Sequence, residues 1–233
     1  MIPLKNLNPR TSFPAVTLAL ILVNFLVFFY QLTLSPRAAD HFVMVYGVVP
    51  QTLQWALTGQ HGKTLLDAAI PLFTSMFLHG GWLHILGNMW FLWIFGDNVE
   101  DILGHGKFLL FYLLCGTVAA LAQVLMDPSS RVPMVGASGA IAGVLGAYMV
   151  KFPRSRIVTL FVLIVFITRV DIPAWIYLFY WFVIQLSGSF GSAGISQGGT
   201  AFSAHVGGFL AGVALIFLLG TRPVYSRRED LRW

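Results

Sequence analysis

The sequence predicts an all-α, polytopic membrane protein: a bundle of six transmembrane helices with both termini in the cytoplasm. Three observations carry that prediction. Hydrophobic residues make up 57% of the 233 and charged residues only 10%, against about 25% charged in a soluble domain. Uncharged apolar runs, several of them long enough to cross a hydrocarbon core of about 30 Å, recur along the chain. Finally, when six spans are counted, Lys and Arg gather on one side of the membrane, the asymmetry that orients such proteins.

The elements follow in order. Residues 1–12 are a short polar, cytoplasmic lead, 13–220 the six-helix domain and 221–233 a basic cytoplasmic tail. The first span, 14–34, is uncharged, with Asn24 its one strong polar group. No small-residue cleavage site ends it, so it reads as a retained helix and not as a signal peptide. Residues 35–71 mix Arg37, Asp40, Lys63 and Asp67 with Phe42, Leu53 and Trp55, which suits a loop lying partly in the membrane interface. The second span, 72–96, has no Asp, Glu, Lys or Arg and is closed by Asp97, Glu100 and Asp101. The third is 108–126, and the fourth, 135–150, is short. The apolar segment 157–168 would reach only about 18 Å as a helix, too little to cross alone. Pro173 then opens the fifth span, 174–186. Residues 187–200, rich in Gly and Ser, read as a flexible loop, and 202–220 is the sixth span.

Charge sets the count. With six spans, Lys5, Arg10, Lys107, Lys151, Arg154, Arg156, Arg169 and the tail arginines share one side, and Arg37, Lys63 and Arg131 the other. A seventh span over 157–168 would export the Arg-rich tail, so this segment is placed at the cytoplasmic interface. The net charge of +5 is therefore loop asymmetry. No nucleic-acid motif and no phosphate-binding Gly loop accompanies it. Cys115 is the single cysteine, which excludes an intrachain disulfide.

Polar residues inside apolar spans are costly to bury and are functional candidates for that reason. Ser138 lies in Gly136-Ala137-Ser138-Gly139, where a polar loop gives way to the fourth span. That places it at a helix N-terminus, where backbone N–H groups lack intrahelical partners and negative charge is favoured. On its own the motif reads more readily as small-residue packing of membrane helices than as a catalytic site. His84 and Asn88, four apart, share one helix face. At about 1.5 Å per residue, Ser138 lies about 20 Å above Lys151, His84 about 24 Å above Glu100 and His205 about 25 Å above Arg222. At one shared depth, Ser138, His84, Asn88 and His205 can form one site. Gly139, Gly143 and Ala147 on the fourth span and Ala204, Gly208 and Gly212 on the sixth give small faces that allow close approach. A Ser138–His205 hydrogen bond, the nucleophile–base pair of acyl transfer, is then within reach. The nine Asp and Glu fall in loops, tails or span ends. The pair is thus expected as a dyad, with His205 oriented by packing.

Other chemistries fit less well. The His-Glu-x-x-His of membrane zinc proteases is absent, as are two buried aspartates for an aspartyl protease. His79, His84 and His205 have no carboxylate or thiol nearby in sequence to complete a metal site. No metal and no cofactor is therefore expected. No intramembrane charge marks a transporter's ion path.

At this point the residues match a family. Phe77-Leu78-His79-Gly80-Gly81-Trp82-Leu83-His84-Ile85-Leu86-Gly87-Asn88, then Phe95-Gly96-Asp97-Asn98-Val99-Glu100, then Gly136-Ala137-Ser138-Gly139, then Ala204-His205-Val206-Gly207-Gly208 with Gly212 resemble the rhomboid intramembrane serine proteases. The resemblance implies an endopeptidase that cleaves transmembrane protein substrates within the lipid bilayer. It implies Ser138 as nucleophile, His205 as general base, and Asn88, His84 and the Ser138 N–H as the oxyanion site. It implies a mobile cap over 187–200 and a lateral gate on the fifth helix at Trp181 and Phe182. Two departures stand out: Ala142 occupies the position where many relatives carry an aromatic residue beside the histidine, and no Trp-Arg pair precedes Leu72. The non-enzyme alternative is a silent rhomboid-like binder of membrane helices, acting in quality control or trafficking. Such proteins typically lose the Ser or the His, and this chain keeps both. Short tails without a targeting extension point to a prokaryotic plasma (inner) membrane.

Overall fold

The computed structural model describes residues 1–163, 166–191 and 201–220. Helices dominate: α1 (Ala15–Thr33), α2 (Pro36–Tyr46), α3 (Pro50–Thr58), α4 (Leu65–Thr74), α5 (Trp82–Leu103), α6 (His105–Met126), α7 (Ser138–Lys151), α8 (Ala174–Gly191) and α9 (Phe202–Leu218). Both α1 and α6 are long and apolar enough to cross a membrane, while α7, α8 and α9 are apolar but shorter. Residues 65–77 and α5 reach span length together, bent by 83° at the break between them. The protein is thus mostly helical with two to three candidate membrane spans.

The expectation of an all-α chain is corrected at the cytoplasmic side of that reading. Strands β1 (Ile2–Asn6), β2 (Arg156–Leu163) and β3 (Phe166–Pro173) form an antiparallel sheet in the order β1-β2-β3. The segment 157–168, weighed above as a helix, is rich in β-branched Ile, Val and Thr, which fit a pleated surface better. Ile157 and Thr159 are fully buried and Phe161 is exposed along the strand. Residues 1–12, expected as a lead, are built into this structure. Ile2 pairs with Leu160, and the Trp90 indole N–H donates to the Pro3 carbonyl at 2.7 Å.

Two further boundaries differ. The second span, expected over 72–96, is broken, and its second helix begins at Trp82. Gly80 and Gly81 each cost about 1 kcal/mol in a helix relative to Ala. Together they end the continuity that hydropathy alone suggests. The loop expected over 35–71 instead holds α2, α3 and the start of α4. Its stops and starts have local causes. Pro36 and Pro50 open helices at positions where the missing N–H costs nothing. Gly59 closes α3 in the left-handed conformation, φ 67°. Thr64 and Asp67 form a reciprocal cap on α4, with the Thr64 N–H donating to the Asp67 carboxylate at 2.8 Å.

At the centre stands α7, buried continuously from Ala140 to Tyr148. Its glycines meet those of α9 backbone to backbone. A Cβ on Gly208 would lie 2.1 Å from the Gly139 carbonyl oxygen, and one on Gly212 2.0 Å from that of Gly143. On the α6 side, a Cβ on Gly139 would stand 2.6 Å from the Ala119 Cβ. These small faces are what the sequence pattern anticipated. The register pairs increasing numbers on both helices, so α7 and α9 run parallel and begin at the same end.

The opposite end is fixed by buried acids. The first turn of α1 has no acidic residue of its own. Instead the Glu100 carboxylate, from α5, accepts from the Val16 N–H at 2.9 Å and from the Thr17 N–H and hydroxyl at 2.7 Å each. A carboxylate at a helix N-terminus satisfies orphan donors and complements the dipole. Asp101 likewise accepts from the N–H groups of Thr11 and Ser12 at 2.7 and 2.8 Å. These contacts tie α5, which carries His84 and Asn88, to α1.

Candidate active site

Ser138 is the first residue of α7. The first intrahelical bond runs from the Ile141 N–H to the Ala137 carbonyl, so the N–H groups of residues 138–140 have no helical acceptor. Gly136 shapes the approach. Its φ is +123°, and a Cβ there would stand 2.7 Å from the His84 Nε2 and 3.6 Å from the Asn88 Nδ2. Its own N–H donates to the Ser75 carbonyl at 2.8 Å. Glycine therefore serves twice, in backbone conformation and in contact, and brings the loop before Ser138 onto the face of α5.

His205 lies in the first turn of α9. Its Nε2 is 2.8 Å from the Ser138 Oγ. Its Nδ1 is 2.7 Å from the Gln185 Oε1, on α8. An amide oxygen only accepts, so Nδ1 carries the proton and donates to it. Nε2 then holds the lone pair and accepts from the Ser138 hydroxyl. The expectation that packing alone orients His205 is thus corrected: an amide does so as well. Packing contributes through Trp181, whose ring centroid is 5.9 Å from that of His205. Ala142, where the resemblance leads one to look for an aromatic residue, is fully buried in the core.

The second half of the site sits on α5. The Asn88 amide donates to His79 Nε2 at 3.0 Å, which leaves its other N–H unused by that bond. His79 lies in the break before α5, buried to 2% exposure, and its ring packs edge-on against His84 at 5.1 Å. The Gly80 N–H approaches the His84 Nδ1 at 3.5 Å. That contact favours a proton on the His84 Nε2, the nitrogen that faces Gly136.

The structure therefore brings Ser138 and His205 into direct contact and sets His84 and Asn88 against the loop leading into Ser138. Trp181 and Phe182 both pack on Phe209 of α9, at 6.1 and 4.7 Å between centroids. Of the cap expected over 187–200, residues 187–191 continue α8 as helix, and 192–200 lie outside the described residues. The basic tail expected over 221–233 lies outside them too. Among the described residues, no group of three or more His, Cys, Asp or Glu is placed to hold a metal.

Sequence reasoning missed Gln185 and the contact of His79. The signal for Gln185 was present: it is an amide in an otherwise apolar helix, the kind of residue that burial in lipid makes costly. His79 carried the same signal, a histidine inside the expected second span, but its contact with Asn88 depends on a chain break that hydropathy hides.

A family model described as the Rhomboid domain matches residues 67–222. The chain belongs to the rhomboid family. It is 31% identical over 202 residues to Rhomboid-like protein 11, chloroplastic, of Arabidopsis thaliana, covering 83% of this chain and 65% of that protein. It is 31% identical over 165 residues to the mitochondrial Presenilin-associated rhomboid-like protein of Bos taurus, covering 69% and 41%. It is 28% identical over 174 residues to Rhomboid protein 1, mitochondrial, of Saccharomyces cerevisiae, covering 73% and 47%. This rhomboid chain thus spans between 41% and 65% of the length of these relatives. The expectation of a prokaryotic plasma membrane is overturned here, because these relatives are by name chloroplastic or mitochondrial proteins of eukaryotes. That expectation rested on short tails and a missing targeting extension, and chain ends do not report a compartment.

Proposed function

We propose that this rhomboid protein is an intramembrane serine endopeptidase that hydrolyses transmembrane segments of other membrane proteins. The observation that carries this reading is the 2.8 Å contact between the Ser138 Oγ and the His205 Nε2 at the paired N-terminal ends of α7 and α9. In this reading the Ser138 Oγ attacks the scissile carbonyl carbon and passes its proton to the His205 Nε2. The tetrahedral intermediate places negative charge on the former carbonyl oxygen. Neutral donors meet it: the Ser138 N–H, the second N–H of Asn88 and the His84 Nε2–H. No Lys or Arg lies on α7, α8 or α9 except Lys151, at the far end of α7. As the intermediate collapses, the His205 imidazolium gives its proton to the leaving amine. Water, deprotonated by the same nitrogen, then releases the acyl group.

The membrane arrangement is part of the proposal. Helix α1, the bent pair α4–α5, and α6, α7, α8 and α9 make the six crossings, with both termini and the β-sheet on the cytoplasmic side. Residues 13–220 act as one unit. The site then lies below the outer surface, and α8, with Trp181 and Phe182, is the lateral gate. Labelling with a fluorophosphonate tests the reading: a reactive Ser138 is modified and the Ser138→Ala protein is not. Absence of labelling and of cleavage in a reconstituted bilayer would favour a silent binder of membrane helices.

A further inference from the structure

We infer that Gln185 is a positioning residue that holds the base of this site in its working tautomer, in the place where a catalytic triad carries a carboxylate. The inference rests on the protease reading above. A neutral histidine can act as base toward Ser138 only if Nε2 is unprotonated. The proton must then sit on Nδ1, and a buried Nδ1–H needs an acceptor, since an unpaired buried donor is destabilising. Helices α7, α8 and α9 contain no Asp or Glu to provide one. The Gln185 Oε1, 2.7 Å from the Nδ1, is the acceptor present. Both side chains are 9% exposed, so water competes poorly for either.

The geometry of α8 supports the assignment. Gln185 follows Trp181 by four residues, so both project from one face of the helix onto His205. The amide fixes one ring nitrogen, and the Trp181 ring bounds the imidazole at 5.9 Å. The end of α8 is itself held against the start of α9. The Ser189 and Ser203 hydroxyls are 2.6 Å apart, and a Cβ on Gly188 would meet the Phe202 ring at 2.5 Å. The hydrogen-bond partner of the His205 Nδ1 and the aromatic ring beside the imidazole thus both come from α8, and orientation of His205 falls to that helix. A neutral acceptor also differs from a carboxylate in kind. It selects the tautomer but adds no charge to stabilise the imidazolium, which leaves the hydrogen bond itself as the whole contribution.

The test uses the full chain in proteoliposomes with a transmembrane substrate. Gln185→Leu keeps the volume and removes the acceptor, and Gln185→Glu keeps an acceptor oxygen. We expect Gln185→Leu to lower both kcat and the fluorophosphonate labelling rate by about ten- to a thousandfold, because the wrong tautomer now competes. KM should stay within about threefold, since the residue acts on the base and not on the substrate. Gln185→Glu should recover most of the rate. It should also move the acidic limb of the rate profile to higher pH by about one unit or more, as an anion now favours the protonated ring. His205 is faced by Ser138 from α7 and by Trp181 and Gln185 from α8, and His84, on α5, is a further titratable ring of the site. His84 is the same in both variants, so the limb shift isolates position 185. Wild-type rates in Gln185→Leu would overturn the inference and leave the protease reading intact. So would a Gln185→Glu protein as slow as Gln185→Leu with an unmoved limb, and this second readout stands even if Gln185→Leu fails to fold. A wild-type protein that neither labels nor cleaves would overturn the protease reading and this inference with it.

Discussion

Gly136→Ala perturbs the site through one methyl group. Two costs follow from the structure. The first is conformational: φ is +123° at this residue, a region side chains rarely occupy, at about 1–3 kcal/mol of strain. The second is contact. The new Cβ would stand 2.7 Å from the His84 Nε2 and 2.8 Å from its Cε1, well inside van der Waals distance. Asn88, at 3.6 Å, would be in ordinary contact and stay. His84 therefore has to swing away, and its Nδ1 leaves the Gly80 N–H. Losing one side-chain donor from an oxyanion site lowers kcat by about 10²–10³. Gly136→Ala should thus lose about 1–3 kcal/mol of stability and about 10²-fold or more in kcat, with KM little changed. The assay is steady-state cleavage in proteoliposomes beside thermal unfolding in detergent, repeated in a His84→Ala background. Removing His84 relieves the clash, so Gly136→Ala should cost less there in both quantities. A wild-type kcat in the single variant would refute the reasoning. So would strictly additive effects in the double variant, which signal that the two residues do not meet.

Three further outcomes are expected. Ser138→Ala and His205→Ala should each abolish cleavage in the same assay, and the double variant should be no slower than either single one, because the pair works as a unit. Asn88→Ala should lower kcat by about 10²–10³ and leave KM nearly unchanged; a change confined to KM would make Asn88 a docking residue. Gly212→Ala should lower the thermal unfolding midpoint, at a cost of about 1–3 kcal/mol or more, because its Cβ would meet the Gly143 carbonyl at 2.0 Å.

The legible parts of this molecule are those encoded by side-chain chemistry at helical spacing. His84 and Asn88 sit four apart, Gly139 and Gly143 four apart, Gly208 and Gly212 four apart. Each pair defines a helix face without reference to anything distant, so the Ser138–His205 contact and the glycine packing followed from local pattern and depth. The illegible parts depend on partners far away in sequence. Glu100 looks like a polar span end until α1 is seen to place Val16 and Thr17 on it. Length alone reads the segment 157–168 as a short helix. Its strand character also needed β1, more than 150 residues away, as a partner. Gln185 sits between these cases, since its polarity was visible but its target was not.

The Ser138–His205 distance has a cause in the backbone. Ser138 and His205 both lie in the first turns of parallel helices, and the contacts just below them leave no slack. With a Cβ on Gly208 falling 2.1 Å from the Gly139 carbonyl, and one on Gly212 2.0 Å from that of Gly143, only glycine permits this separation. Interiors so closely packed tolerate little displacement, so sliding one helix along the other would drive backbone into backbone. The Oγ–Nε2 separation of 2.8 Å is therefore set by main-chain packing within the next two turns, and rotation of the imidazole is the remaining freedom. That freedom is what α8 controls, from the other side of His205. A site divided in this way separates distance from orientation. Substitutions at Gly143 or Gly212 act on the first and should carry a stability loss with any loss of rate. Those at Gln185 act on the second and should change rate out of proportion to any shift of the unfolding midpoint.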